Sequence, residues 1–315
     1  MTAGAGSAFE CTPDYAEITR RVMSAVAPHI GAGKVADYIP DLGRVDPHQF
    51  GFAVATVDGD FHSGGDADVP FALESISKLF SLALVLGHDD KMIWNRVHRE
   101  PSGEPFNSLI QLELELGVPR NPFINPGAIV VTDQLLSYTG DAFEAVRGLL
   151  RAETGNPYLH LDGVTEGSEA RTGDRNRALA YLMADFDNML GPVPEVLEHY
   201  VRQCSIMITA SELARAGLLF ARHGERADGT RLIRRAEARR INALMLTCGT
   251  YDEAGEFAYR VGLPCKSGVG GGILAVVPDR CAAVAWGPGL DVKGNSVSAT
   301  IALETFAATG GLSIF

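Results

Sequence analysis

The amino-acid sequence predicts an α/β protein of the α+β kind. An antiparallel sheet is expected from the N- and C-terminal parts, flanked by their helices, with a mainly helical lobe from the middle. Three observations predict it. Short apolar or β-branched runs cluster near the two ends of the chain, and turn residues separate them. The middle, about residues 87 to 245, carries helical apolar spacing broken by Pro- and Gly-rich loops. Residues 1–315 are read as one domain. Its sheet lobe comes from about 14–74 and 246–315, and its helical lobe from about 75–245. The junction of the lobes is the expected place for a site, because pockets favour such clefts.

The elements follow in order. Tyr15, Ile18, Val22 and Val26 recur every three to four residues and predict a helix over 14–30, closed by Pro28, Gly31 and Gly33. Phe50 to Val57 reads as a strand, Asp58-Gly59-Asp60 as a turn and Phe61-His62-Ser63 as the return strand of a hairpin. Ile76 to Leu86 is apolar on nearly every side and predicts a buried central helix. Arg120 to Gly127 is the clearest loop, and residues 196–222 read as one helix. Phe257–Val261, Ile273–Val277 and Cys281–Trp286 read as strands, with Pro278-Asp279-Arg280 turning between the last two. Ser296 to Ala308 reads as a closing helix. The chain shows no internal repeat.

The bulk numbers exclude some classes. Hydrophobic residues make up 46% and charged residues 21%, ordinary values for a globular domain. A net charge of −12 argues against a nucleic-acid surface, and the arginines at 231, 234, 235, 239 and 240 read as a solvated helix face. The five cysteines are scattered with no C-x-x-C pair, which suits free thiols in a reducing compartment. No basic and apolar leader opens the sequence, and no run of 18 apolar residues occurs, so neither export nor a membrane span is expected. A cytoplasmic protein is the expectation.

The chemistry centres on Ser75-Ile-Ser-Lys78. A serine is a poor nucleophile until a base takes its proton, and residues three apart on a helix share a face. S-x-x-K is a weak signal alone. Its setting strengthens it, because Lys78 falls in a strongly apolar stretch where an unpaired ammonium is costly. A buried lysine also loses basicity and can serve as a neutral base. The competing reading is a lysine that snorkels to water. The second element is Lys266-Ser267-Gly268-Val269-Gly-Gly-Gly272, which brings a cation and closely approaching backbone N–H groups. The competing reading there is a flexible hairpin loop. Gly31-Ala-Gly33-Lys34 lacks the rest of a phosphate-binding pattern. No G-x-S-x-G or H-E-x-x-H occurs, and the eight histidines show no metal-ligand spacing with cysteines. A Ser–His–Asp triad, or a nucleophile at Cys204, Cys248 or Cys265, stays open on the residues alone.

Taken together, several stretches resemble the bacterial glutaminases of the serine-dependent, β-lactamase-like fold. They include Ala36-Asp-Tyr38-Ile-Pro40, Glu74-Ser-Ile-Ser-Lys78, Arg120-Asn-Pro-Phe-Ile-Asn125, Ser168-Glu169, Arg175-Asn176 and Tyr200 with Gln203-Cys204. The last is Thr247 to Phe257 and on through Lys266-Ser-Gly-Val269. The resemblance implies hydrolysis of L-glutamine to L-glutamate and ammonia through a γ-glutamyl ester on Ser75. It implies Lys78 as the base, Tyr38 and Tyr251 as proton relays, and the N–H groups of Ser75 and Val269 as oxyanion donors. Lys266 would add positive charge. Glu169 would meet the substrate ammonium, and Asn125, Asn176, Tyr200 and Tyr251 would hydrogen-bond its polar groups. No metal or organic cofactor is implied, and a homo-oligomer, dimer or tetramer, is. Two departures are visible: Pro126 and Cys265 stand where the family usually has alanine. The rival readings are another serine acyl-hydrolase of the same fold and a non-catalytic amino-acid-binding protein.

Overall fold

The computed structural model describes residues 13–40, 42–161 and 173–315. Its centre is a five-stranded antiparallel sheet in the order β2-β1-β7-β6-β5. The strands are β1 (Gly51–Thr56), β2 (Phe61–Gly65), β5 (Cys265–Ser267), β6 (Gly272–Val277) and β7 (Cys281–Trp286). The sheet thus joins the two ends of the chain, as expected. β1 and β2 form the predicted hairpin, with Ala55 opposite Phe61.

Strand period 2 divides this sheet between two cores. Phe52, Val54, Ile273, Ala275, Ala283 and Ala285 face one way. They pack on α1 (Tyr15–Val26) and α11 (Val297–Gly310), and the four residues predicted to line α1 all lie in that layer. Phe52 meets Phe306 of α11 at a ring separation of 5.7 Å. Ala53, Ala55, Leu274, Val276, Ala282 and Val284 face the other way, into the larger core.

The larger core is shared with the helices of the middle region: α2 (Ser77–His88), α4 (Asn125–Thr139), α5 (Ala142–Thr154), α6 (Asp174–Asp185), α7 (Val193–Cys204), α8 (Ala210–Ala221) and α9 (Arg235–Cys248). The short α3 (Leu109–Leu114) lies near α6. α8 lies across β1, β6 and β7. Gly217 permits that close approach, since a Cβ there would stand 2.8 Å from the Cβ of Ala282. α2 runs through the middle of this core with Phe80 against Phe220 of α8, ring centroids 5.6 Å apart.

Three expectations are corrected. Phe257–Val261 is not a strand but belongs to α10 (Ala254–Arg260) and the residue that caps it. Phe257 and Val261, four apart, are both buried, while Tyr259 between them is 88% exposed, so the burial period is helical. Residues 196–222 are two helices, α7 and α8, separated by β4 (Met207–Ile208). Thr209 starts α8 with a reciprocal capping box to Glu212, a signal present in the sequence as T-x-x-E. The loop read over 120–127 ends at Ile124, because Asn125 already opens α4. Pro126 then falls in the first helical turn, where its missing N–H costs no intrahelical bond.

Candidate active site

A cleft of about 610 Å³ opens where the sheet meets the helices. Seven of the candidate residues line it: Tyr38, Ser75, Asn125, Asn176, Tyr200, Cys204 and Val269. Lys78, Lys266 and Tyr251 lie behind its wall, connected to it by the contacts below. Glu169 lies outside the described residues.

Ser75 sits in a 3₁₀ turn, Glu74–Ile76, that leads directly into α2. The segment before it is anchored on both sides. β3 (Phe71–Ala72) pairs with β4, and the Leu73 N–H donates to Ile206 O at 2.8 Å. On the other side lies the turn between β5 and β6. A Cβ at Gly270 would stand 2.3 Å from Ala72 O, and one at Gly268 would stand 2.9 Å from Leu73 O. These glycines therefore let the turn close on the backbone just before the serine. Trp286 holds the turn in place: its Nε1–H donates to Gly270 O at 2.9 Å, and its ring stacks on Phe71 at 5.3 Å.

Lys78 is one turn past Ser75 and only 2% exposed, so it does not snorkel. Its Nζ donates to Asn125 Oδ1 at 2.7 Å and to Phe123 O at 3.3 Å, and it lies 6.0 Å from the Tyr200 ring centre. Asn125 is held by its own backbone N–H, which donates to Phe106 O at 2.9 Å. Its side-chain Nδ2 donates to Asn176 Oδ1 at 3.0 Å. The amide thus turns its oxygen to Lys78 and its nitrogen to Asn176.

Lys266 reaches the same place from β5. Strand alternation sends Cys265 into the α1–α11 core and Lys266 to the opposite side. Lys266 is fully buried, and its Nζ donates to Ser267 O at 2.6 Å and Gly249 O at 3.1 Å. It faces the rings of Tyr251 and Phe123 at 5.0 and 5.9 Å. Burial, and then the neighbouring Lys78 charge, push the Lys266 amine well below the usual lysine range.

Tyr251 packs its part-exposed ring against Phe106 at 5.0 Å and buries its hydroxyl. That hydroxyl makes no hydrogen bond, though the Ser75 and Ser267 hydroxyls lie beside it. Burial dominates and pushes the phenol well above its ordinary value, so Tyr251 stays protonated. Tyr38, by contrast, is 59% exposed at the cleft mouth. Two backbone features here are invisible in sequence. Glu74 and Tyr251 both have left-handed φ, +50° and +56°, unusual for residues with a side chain.

The site also uses groups that motif reading did not single out. Phe106 O and Phe123 O orient Asn125 and Lys78, and Gly249 O accepts from Lys266. Backbone carbonyls carry no residue-type signal, so only the fold reveals them. At the mouth, Lys34 pairs with Asp37 at 2.7 Å and Lys293 with Asp252 at 2.6 Å. Among the described residues, no cluster of three or more His, Cys, Asp or Glu is placed to hold a metal ion.

A sequence model of the Glutaminase family matches residues 33–315. The chain belongs to the glutaminase family. A glutaminase from Streptomyces coelicolor is 54% identical over 301 residues, spanning 96% of this chain and 98% of the relative. Among solved structures, the probable glutaminase ybaS superposes with a TM-score of 0.90 at 35% identity, covering 96% of this chain and 99% of that one. The Bacillus subtilis glutaminase YbgJ superposes with a TM-score of 0.84 at 32% identity, covering 95% and 99%. That structure is a covalent complex with 5-oxo-L-norleucine, formed by reaction with 6-diazo-5-oxo-L-norleucine. Family membership brings the β-lactamase-like fold that the antiparallel sheet and helices display.

Proposed function

We propose that this chain hydrolyses L-glutamine to L-glutamate and ammonia through a γ-glutamyl ester on Ser75. The observation that carries the reading is a serine on the cleft wall backed by two buried lysines and a tyrosine whose buried hydroxyl stays protonated. Non-catalytic binding of an amino acid needs no such set, and each buried amine costs stability. The relative's covalent complex supports a nucleophile in the family, since its reagent carries a glutamine-like skeleton.

In this reading Ser75 Oγ attacks the side-chain amide carbon and Lys78 takes its proton. Lys78 Nζ, held by its bonds to Asn125 Oδ1 and Phe123 O, is the base in this reading. Two ammoniums this close repel, so the pair favours one missing proton. Any positive charge that Lys266 keeps against its burial adds to the field that steadies the developing oxyanion. The N–H groups of Ser75 and Val269 serve as the oxyanion donors. Tyr251 is favoured over exposed Tyr38 as the group that passes a proton to the leaving nitrogen. Water then cleaves the ester. Glu169 meets the substrate ammonium, and Asn125, Asn176, Tyr200 and Tyr251 hold its other polar groups. No metal or organic cofactor takes part in this scheme.

The four described cysteines are buried and form no disulfide, which supports work in a reducing compartment, and we place the chain in the cytoplasm. The direct test is ammonia release from glutamine. Wild type should release it, and Ser75→Ala should lose activity by at least about 10³-fold. A wild type without ammonia release would sink the assignment, and full activity in Ser75→Ala would move the nucleophile elsewhere.

A further inference from the structure

Gln203 belongs to no role assigned above. It is 1% exposed in the larger core, on α7, one turn past Tyr200. Its Oε1 accepts from Ser81 Oγ at 2.9 Å and from Thr132 Oγ1 at 3.3 Å. Ser81 and Thr132 are also 1% exposed. Ser81 lies one turn past Lys78 on α2, and Thr132 lies two turns past Asn125 on α4. One side-chain oxygen therefore joins the three helices that carry Lys78, Asn125 and Tyr200, and does so just beneath those residues.

The other half of the amide tells against a purely stabilising role. Gln203 Nε2 is buried and makes no hydrogen bond. Exchanging the amide's nitrogen and oxygen keeps the junction but leaves the oxygen as the orphan. A buried amide with one unsatisfied end costs stability, and an apolar side chain of the same length removes that cost. Nor does Ser81 depend on Gln203 for satisfaction. Ser81 Oγ also reaches Ser77 O at 3.2 Å, the back-bond that a helical serine makes on its own.

We propose that Gln203 is a positioning residue, which fixes the register of α2, α4 and α7 so that Lys78 stays aimed at Ser75. This rests on the reading of Lys78 as the base. The Lys78–Asn125 bond, 2.7 Å long, crosses from α2 to the first turn of α4. An apolar core resists separation of helices but not small slides and rotations, because dispersion has no direction. A buried acceptor shared by three helices adds that direction. A slip well short of a helical turn would stretch the Lys78–Asn125 bond and misdirect the amine.

The test compares Gln203→Met, Ser81→Ala and their double variant with wild type and Lys78→Ala, following kcat, KM and thermal midpoint. Gln203→Met should keep or raise the midpoint, lower kcat by about 10- to 100-fold and change KM by less than that. Ser81→Ala should lower kcat several-fold in the wild type and have almost no effect in the Gln203→Met background, since the junction is already gone. Wild-type kcat in Gln203→Met overturns the proposal, as does a kcat loss that merely follows a lowered midpoint. Should Gln203→Met not fold, an unchanged kcat in Ser81→Ala overturns it instead. Lys78→Ala separates the two claims. Its retention of activity removes the base assignment itself, whereas an inactive Lys78→Ala beside a fully active Gln203→Met removes only the positioning role.

Discussion

At the scale of single residues, the site is a balance between two buried amines. Lys266 shows its cost most plainly, because it is fully buried and sits beside Lys78. A group whose folded pKa lies below its unfolded value binds fewer protons in the fold. Folding then becomes more favourable as pH rises through the interval between the two values. For Lys266 that interval ends near 10.5, the ordinary lysine value. Lys266→Met should therefore raise the thermal midpoint at pH 7 by roughly 2–4 °C. The gain should shrink as pH approaches 10.5, while glutamine hydrolysis is largely lost. Midpoints measured in parallel from pH 7 to 10 check this. A gain that stays constant with pH would mean that proton binding is not its source. The chemical type of these residues was legible in sequence: S-x-x-K and the Lys-Ser-Gly element were visible at once. The convergence of Lys78 and Lys266 on Phe123 was not, because no local pattern encodes contact between α2, the 121–124 loop and β5.

At the scale of elements, the sequence was most readable where burial followed one strict period. Gly51–Thr56, Gly272–Val277 and Cys281–Trp286 are strands between two cores, and α1 shows its apolar stripe. It was least readable where one segment mixed signals. Phe257–Val261 holds two large apolar residues and a tyrosine, which look strand-like until helical burial is seen. The break between α7 and α8 was missed because apolar spacing runs across it, although the T-x-x-E box marked it. The β5–β6 turn is the element with most influence on the reaction. Gly270→Ala would place a Cβ 2.3 Å from Ala72 O, forcing the turn off the Ser75 segment. It should lower kcat by about 10²-fold. Its cost to stability should be about 1–3 kcal/mol, read from denaturant titration. Unchanged kcat would show that the turn's contact with the Ser75 segment is not needed for reaction.

At the scale of the whole molecule, one sheet with two buried faces fixes the site between distant parts of the chain. The larger core runs unbroken from β1, β6 and β7 through α8 to α2, so the serine's turn and the Lys266 strand share one packed body. Among the described residues no helix is long and apolar enough to cross a membrane. The surface leaves Ile110 and Leu114 of α3, Leu116 just beyond it and Tyr181 of α6 exposed. The dimer or tetramer that the sequence resemblance implies should appear in light scattering at micromolar concentration, and a monomer there would end that expectation. The central claim is the identity of the nucleophile, and Cys204, a thiol in the same cleft, is its real competitor. Reaction with 6-diazo-5-oxo-L-norleucine followed by peptide mapping tests it most directly. The label should fall on Ser75 and vanish in Ser75→Ala. A label on Cys204 or Tyr251, or one that persists in Ser75→Ala, would contradict the account.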